Sequence, residues 1–102
     1  MTVLAVAQIS IHDRDRYKRY ADRFLPTLGK YGGRLLAADE HPEVVEGKLF
    51  CEKLIVLSFP SRDAFQAWLS SPQYREIAID RSASTTGNVL LVQGIDPLER
   101  GD

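Results

Sequence analysis

The chain has 102 residues, 44% hydrophobic and 26% charged, with a formal net charge of −1 and a pI near 6.1. That size suits one domain, residues 1–96 with a tail at 97–102, and lets about 65% of the unfolded surface be buried, enough for a core without disulfide or metal. The near-balanced, scattered charge argues against a nucleic-acid partner, the short apolar runs against a membrane helix, and the single cysteine, Cys51, against a disulfide framework, so a reducing cytoplasm is expected.

Thr2–Ile11 reads as a strand rather than a signal segment, since no basic n-region opens it. Val3, Ala5, Ala7, Ile9 and Ile11 fall on one face, Leu4, Val6, Gln8 and Ser10 on the other. Asp13 suits the N-cap of a helix in which Tyr17, Tyr20, Ala21, Phe24, Leu28 and Tyr31 keep helical spacing. Pro26 lacks an N–H and should kink or restart that helix, and Gly32-Gly33 should end it. Arg34–Ala38 follows as a short strand, taken to lie inside the sheet. Asp39–Pro42 forms a turn, and Glu43–Glu46 is expected to continue the strand past a bulge or to form one of its own. Lys53–Phe59 is a long strand with two apolar faces, stopped by Pro60. Ser61 caps a helix carrying Ala64, Phe65, Trp68 and Leu69. Ser71-Pro72 restarts a helix, with Tyr74, Ile77 and Ala78 inward. Asp80–Asn88 reads as a polar connection and Val89–Ile95 as the last strand.

The order β-α-β-β-α-β predicts an α+β fold: a ferredoxin-like βαββαβ antiparallel sheet with its helices on one face. The helices cover one face only, yet three strands are apolar on both. An exposed patch of that size calls for a cover. A second copy is the simplest, so a homodimer pairing sheet to sheet into a dimeric α/β barrel is expected.

Several strings, in order and spacing, carry a family resemblance. They are Tyr17-x-x-Tyr20, Lys30-Tyr31-Gly32-Gly33-Arg34, Glu46-Gly47, Phe59-Pro60-Ser61, Trp68, Ser71-Pro72-x-Tyr74 and Arg81. From about Val3 to Gly94 the chain resembles the bacterial family catalogued as domain of unknown function 1330, in the dimeric α+β barrel superfamily. The resemblance implies that fold and assembly and no established reaction. The chain departs from the family pattern at Phe50-Cys51 and near Ser82–Gly87.

Candidate chemistry gathers on a few side chains. Tyr20 and Tyr74 can orient a carboxylate or enolate, or pack as helix-edge phenols; for Tyr17 and Tyr31 packing is the better account. Arg34 and Arg81 can clamp a planar anion, although Arg34 can equally pair with Glu46. Glu46 in an apolar pocket would serve as acid or base; Glu52 reads as a surface salt bridge. His12 titrates near neutrality, and a solvated role is the plainer one; His41 sits in a turn. Cys51 has no surrounding motif, no metal-ligand set is spaced for binding, and no phosphate loop or nucleophile elbow occurs. The expected pocket lies between helices and sheet, walled by Tyr20, Phe24, Arg34, Glu46, Trp68, Tyr74 and Arg81. It would take a small-molecule ligand and needs no cofactor. Two functions stay open: a cofactor-free oxygenase or isomerase acting on a small aromatic or enolisable ligand, or a non-catalytic module that binds a small ligand or assembles.

Overall fold

A computed structural model describes residues 2–95; the tail expected at 97–102 lies outside them. The elements are β1 (Val3–Ile11), α1 (Arg14–Phe24), β2 (Arg34–Asp39), β3 (Lys53–Phe59), α2 (Arg62–Leu69), α3 (Pro72–Ser84) and β4 (Thr85–Gln93). They form one four-stranded sheet in the order β2-β3-β1-β4, every neighbouring pair antiparallel. This is the ferredoxin-like arrangement, with the sheet open at both edges.

Register sorts the side chains. Ala5 lies between Leu57 and Leu91, and Ile9 between Lys53 and Gly87. Directly opposed residues share a face, so Val3, Ala5, Ala7, Ile9, Ile55, Leu57, Phe59 and Leu91 form the helix-facing layer. Leu4, Val6, Leu54, Val56, Leu90 and Val92 form the other, which no element among the described residues covers. The core sits between the first layer and the helices, centred on Phe59, Ile77, Leu28, Trp68 and Ile9.

The chain breaks follow the local chemistry. At Pro26 the α-helix gives way to a 3-10 turn over Leu25–Thr27, and a second 3-10 turn runs over Gly29–Tyr31. Gly32 closes it at φ 71°, a left-handed conformation that costs glycine little. Gly87 has a different reason. A Cβ there would collide with the carbonyl oxygen of Gln8 on the neighbouring strand.

Three expectations are corrected. Glu43–Glu46 forms no strand: Asp39 Oδ1 accepts from the His41 backbone N–H at 2.8 Å, turning the chain off the sheet where β2 ends, so the segment has no ladder to join. Asp80–Asn88 is not a connection. Ser84 and Thr85 side-chain hydroxyls donate to the Arg81 carbonyl at 3.3 and 2.8 Å, and the Ser84 carbonyl accepts from His12 N–H at 2.9 Å, so helix passes straight into strand. β4 accordingly starts four residues early and ends at Gln93. Arg34 opens an edge strand rather than an inner one, because β3 alone pairs with β2.

Candidate functional site

Three helix starts set the site. Asp13 accepts from Arg16 N–H at 3.2 Å and fixes α1, whose Tyr17, Tyr20 and Phe24 then point at the sheet. Ser61 accepts from Ala64 N–H at 3.1 Å and starts α2, which carries Trp68. Ser71 joins α2 to α3: its hydroxyl donates to the Trp68 carbonyl at 2.7 Å and accepts from Tyr74 N–H at 3.3 Å. That double use of one hydroxyl brings the Trp68 and Tyr74 rings to 4.0 Å between centroids. From the other side, Trp68 Nε1 donates to Thr27 Oγ1 at 3.0 Å, and Thr27 Oγ1 donates to the Phe24 carbonyl at 2.7 Å. The Pro26 turn thus supplies the residue that holds the indole.

Between this helix layer and the sheet lies a cavity of about 460 Å³. Its volume is within the range usual for small-molecule sites. Tyr17, Tyr20, Phe24, Phe65, Trp68 and Tyr74 supply aromatic walls, and Ala5, Ala7, Ile55, Leu57 and Leu91 supply the floor. The alanines matter because short side chains on β1 leave the volume open. Polar groups in the lining are few: the tyrosine hydroxyls, Trp68 Nε1, Lys53 and Arg81. Among the described residues, no Asp, Glu, His or Cys lines it.

The tyrosine hydroxyls meet. Tyr20 Oη and Tyr74 Oη lie 3.2 Å apart, both residues buried, and either can donate. Burial pushes the Tyr20 phenol well above its ordinary range, the neighbouring Tyr74 adds to the shift, and Arg81 opposes it weakly. Tyr20 therefore keeps its proton at physiological pH and is available as a hydrogen-bond donor. At one end of the cavity, Lys53 Nζ stands 4.9 Å from the Tyr17 ring centroid. Arg81 Nε is buried and has no hydrogen-bond partner among the described residues.

Of the residues proposed from sequence, Tyr20, Phe24, Trp68, Tyr74 and Arg81 line the cavity; Arg34, Glu46 and His12 do not. Arg34 pairs in register with Ser58, which opposes Leu4, so its side chain belongs to the open face. Glu46 is exposed in the excursion between β2 and β3, and no Arg34–Glu46 ion pair forms among the described residues. His12 is exposed, its backbone serving the α3–β4 junction. Glu52 pairs with Arg14 at 3.0 Å on the surface, and half-buried Cys51 lines a separate groove with Arg14, Glu40 and His41. Sequence reasoning missed Lys53 and Thr27; it put Tyr17 on the helix's apolar stripe as a packing residue and did not place it in the cavity wall. For Lys53 a signal existed: it shares parity with Ile55, Leu57 and Phe59, which places a cation on the buried face of its strand.

Fold and cavity together define a ferredoxin-like α+β protein with an aromatic-walled cavity under its helices. Within that class, the family model for a domain of unknown function (DUF1330) matches residues 2–95, and the chain belongs to that family. None of the curated proteins matches it. Among solved structures, it is similar to a protein of unknown function from Rhodopseudomonas palustris, 16% identical, covering 94% of this chain and 84% of that one, TM-score 0.79. A dimeric ferredoxin-like protein of unknown function from Jannaschia sp. CCS1 is 13% identical, covering 92% and 100%, TM-score 0.73. SnoaB, a cofactor-independent oxygenase from Streptomyces nogalater, is 15% identical, covering 95% and 96%, TM-score 0.68. At these identities the likeness establishes the fold alone. No helix among the described residues is long and apolar enough to cross a membrane.

Proposed function

We propose that the protein is a homodimer whose protomers each bind a small aromatic or enolisable ligand in the cavity, and that it acts there as a cofactor-free oxygenase or isomerase. The dimer reading rests on the uncovered sheet face. Leu90 is 50% and Val92 44% exposed beside Leu4, Val6, Leu54 and Val56, and a structural neighbour is described as dimeric. Light scattering at micromolar concentration checks it, with a monomer counting against it.

The observation that carries the chemical reading is the Tyr20–Tyr74 hydroxyl pair in an otherwise apolar cavity beside an arginine. Neutral phenols and a guanidinium in an aromatic-walled site stabilise developing negative charge on a ligand oxygen, as in an enolate. The enolate carbon then either regains a proton at a new position or passes electrons to dioxygen. A neighbour of the same fold is a cofactor-independent oxygenase, in keeping with that class. A second reading has its own support: among the described residues the lining has no carboxylate or imidazole to take the first proton, which suits a binding module or a ligand acidic enough to ionise unaided. Exchange of the C1 protons of 2-tetralone in D2O, followed by NMR, separates them. Accelerated exchange that Tyr20→Phe slows at least tenfold supports catalysis, since one oxyanion-site donor is typically worth ~10² or more. Binding without accelerated exchange leaves the module.

A further inference from the structure

The cavity is not uniform along its length. Trp68 stacks near Phe59, ring centroids 5.2 Å apart, and Phe59 opposes Val3 at one end of β1. Lys53 opposes Ile9 toward the other end, roughly 20 Å away at ~3.4 Å per residue. Arg81 lies on the last turn of α3, four residues before Thr85, which opposes Ile11. Both cations thus belong to the Ile9–Ile11 end, and the row Tyr17, Tyr20, Phe24, Trp68 joins the two ends by ring contacts of 5.8, 5.5 and 6.1 Å.

Neither cation has a carboxylate partner among the described residues, whose ion pairs engage Arg14, Arg16, Lys18, Arg19 and Arg23. Arg81 Nε is buried without a hydrogen-bond partner. A buried donor left unmade costs free energy, and a buried cation normally finds an anion. Among the described residues the cavity lining holds two cations and no carboxylate. An anionic ligand completes it.

We infer that the ligand is an aromatic acid: a planar, apolar body against Tyr20 and Phe24, and a carboxylate received by Arg81 with Lys53 at the Ile9–Ile11 end. The inference rests on the cavity as the ligand site and adds the ligand's charge and orientation. Arg81 offers a guanidinium N–H to one carboxylate oxygen in a charge-assisted bond, and Lys53 contributes a second positive charge.

The test compares 2-naphthoate with its neutral isostere 2-naphthamide by isothermal titration calorimetry on the full chain. Naphthoate should bind at least tenfold tighter, since a hydrogen bond to a charged partner is worth ~1.5–3 kcal/mol. Arg81→Gln and Lys53→Gln should each erode that preference, and a circular dichroism spectrum and urea midpoint matching wild type show that the variant is folded. Equal binding of the two probes, or a preference that survives Arg81→Gln, overturns the carboxylate assignment and leaves the cavity reading standing. Binding of neither overturns both.

Discussion

The tyrosine pair makes a quantitative prediction through a double-mutant cycle. Tyr20 and Tyr74 are 6% and 4% exposed, and each hydroxyl has the other as its bonding partner at 3.2 Å. Tyr20→Phe removes one oxygen and leaves the Tyr74 hydroxyl buried and unsatisfied; Tyr74→Phe does the reverse. Each orphaned hydroxyl costs about 1–3 kcal/mol, whereas replacing both by ring hydrogens of nearly the same shape is close to neutral. The double variant should therefore be less destabilised than the sum of the singles, by on the order of 1 kcal/mol or more. A loss of 1 kcal/mol lowers the melting temperature of a chain this size by about 4–8 °C, so the effect is readable. The assay is urea unfolding followed by the fluorescence of Trp68, the one tryptophan, whose ring lies against Tyr74. Protomer concentration must be equal throughout, because association shifts apparent stability. Strict additivity refutes the paired-hydroxyl account. Single variants as stable as wild type would show instead that the hydroxyls reach water.

The same tyrosine sets an alkaline limit. Its folded-state pKa is raised above the unfolded value, so its contribution is fully present below about pH 10 and falls as pH rises further, with a slope approaching ~1.4 kcal/mol per pH unit; Tyr20→Phe should flatten the stability profile above pH 10 in denaturant titrations. Asp80 runs the other way. The hydrogen bond from Arg16, with help from Arg19, holds its carboxyl below the usual range, so Asp80→Asn should lower the melting temperature at pH 7, by an amount that shrinks as pH falls through the carboxylate range. Thr27→Val keeps the shape but leaves Trp68 Nε1 without its acceptor, at a cost of about 1–3 kcal/mol in urea unfolding; an unchanged midpoint would remove Thr27 from the site's support. Gly87→Ala forces a methyl against the Gln8 backbone at φ 150° and should destabilise by roughly 1–3 kcal/mol or separate β4 from β1, seen as lost amide protection in hydrogen exchange.

What the sequence determined by itself is everything carried by local chemistry. Alternation in Val3–Ile11 and Lys53–Phe59, the caps at Asp13, Ser61 and Ser71, and the Pro26 break are short-range effects, and each element they predict is present. Those elements, in their order, leave few topologies, and the antiparallel sheet is the one observed. The α3–β4 junction was misread because Ser and Thr favour loops in general, yet here their hydroxyls bond back to Arg81 and their backbone serves His12. Aromatic cavity residues were legible for a related reason: helical spacing puts Tyr20 and Phe24 on one face, and the caps set Trp68 and Tyr74. What only tertiary structure decided is which distant residues share that space. Arg34 and Glu46 looked like partners because they are near in sequence, but edge pairing sends Arg34 to the open face and the turn at Asp39 leaves Glu46 exposed. Lys53 and Arg81, distant in sequence, come to one end of the cavity because Lys53 pairs in register with Ile9 and α3, which carries Arg81, runs into β4 at Thr85 opposite Ile11. Composition cannot encode that, since register depends on which strands meet and where the helices between them stop.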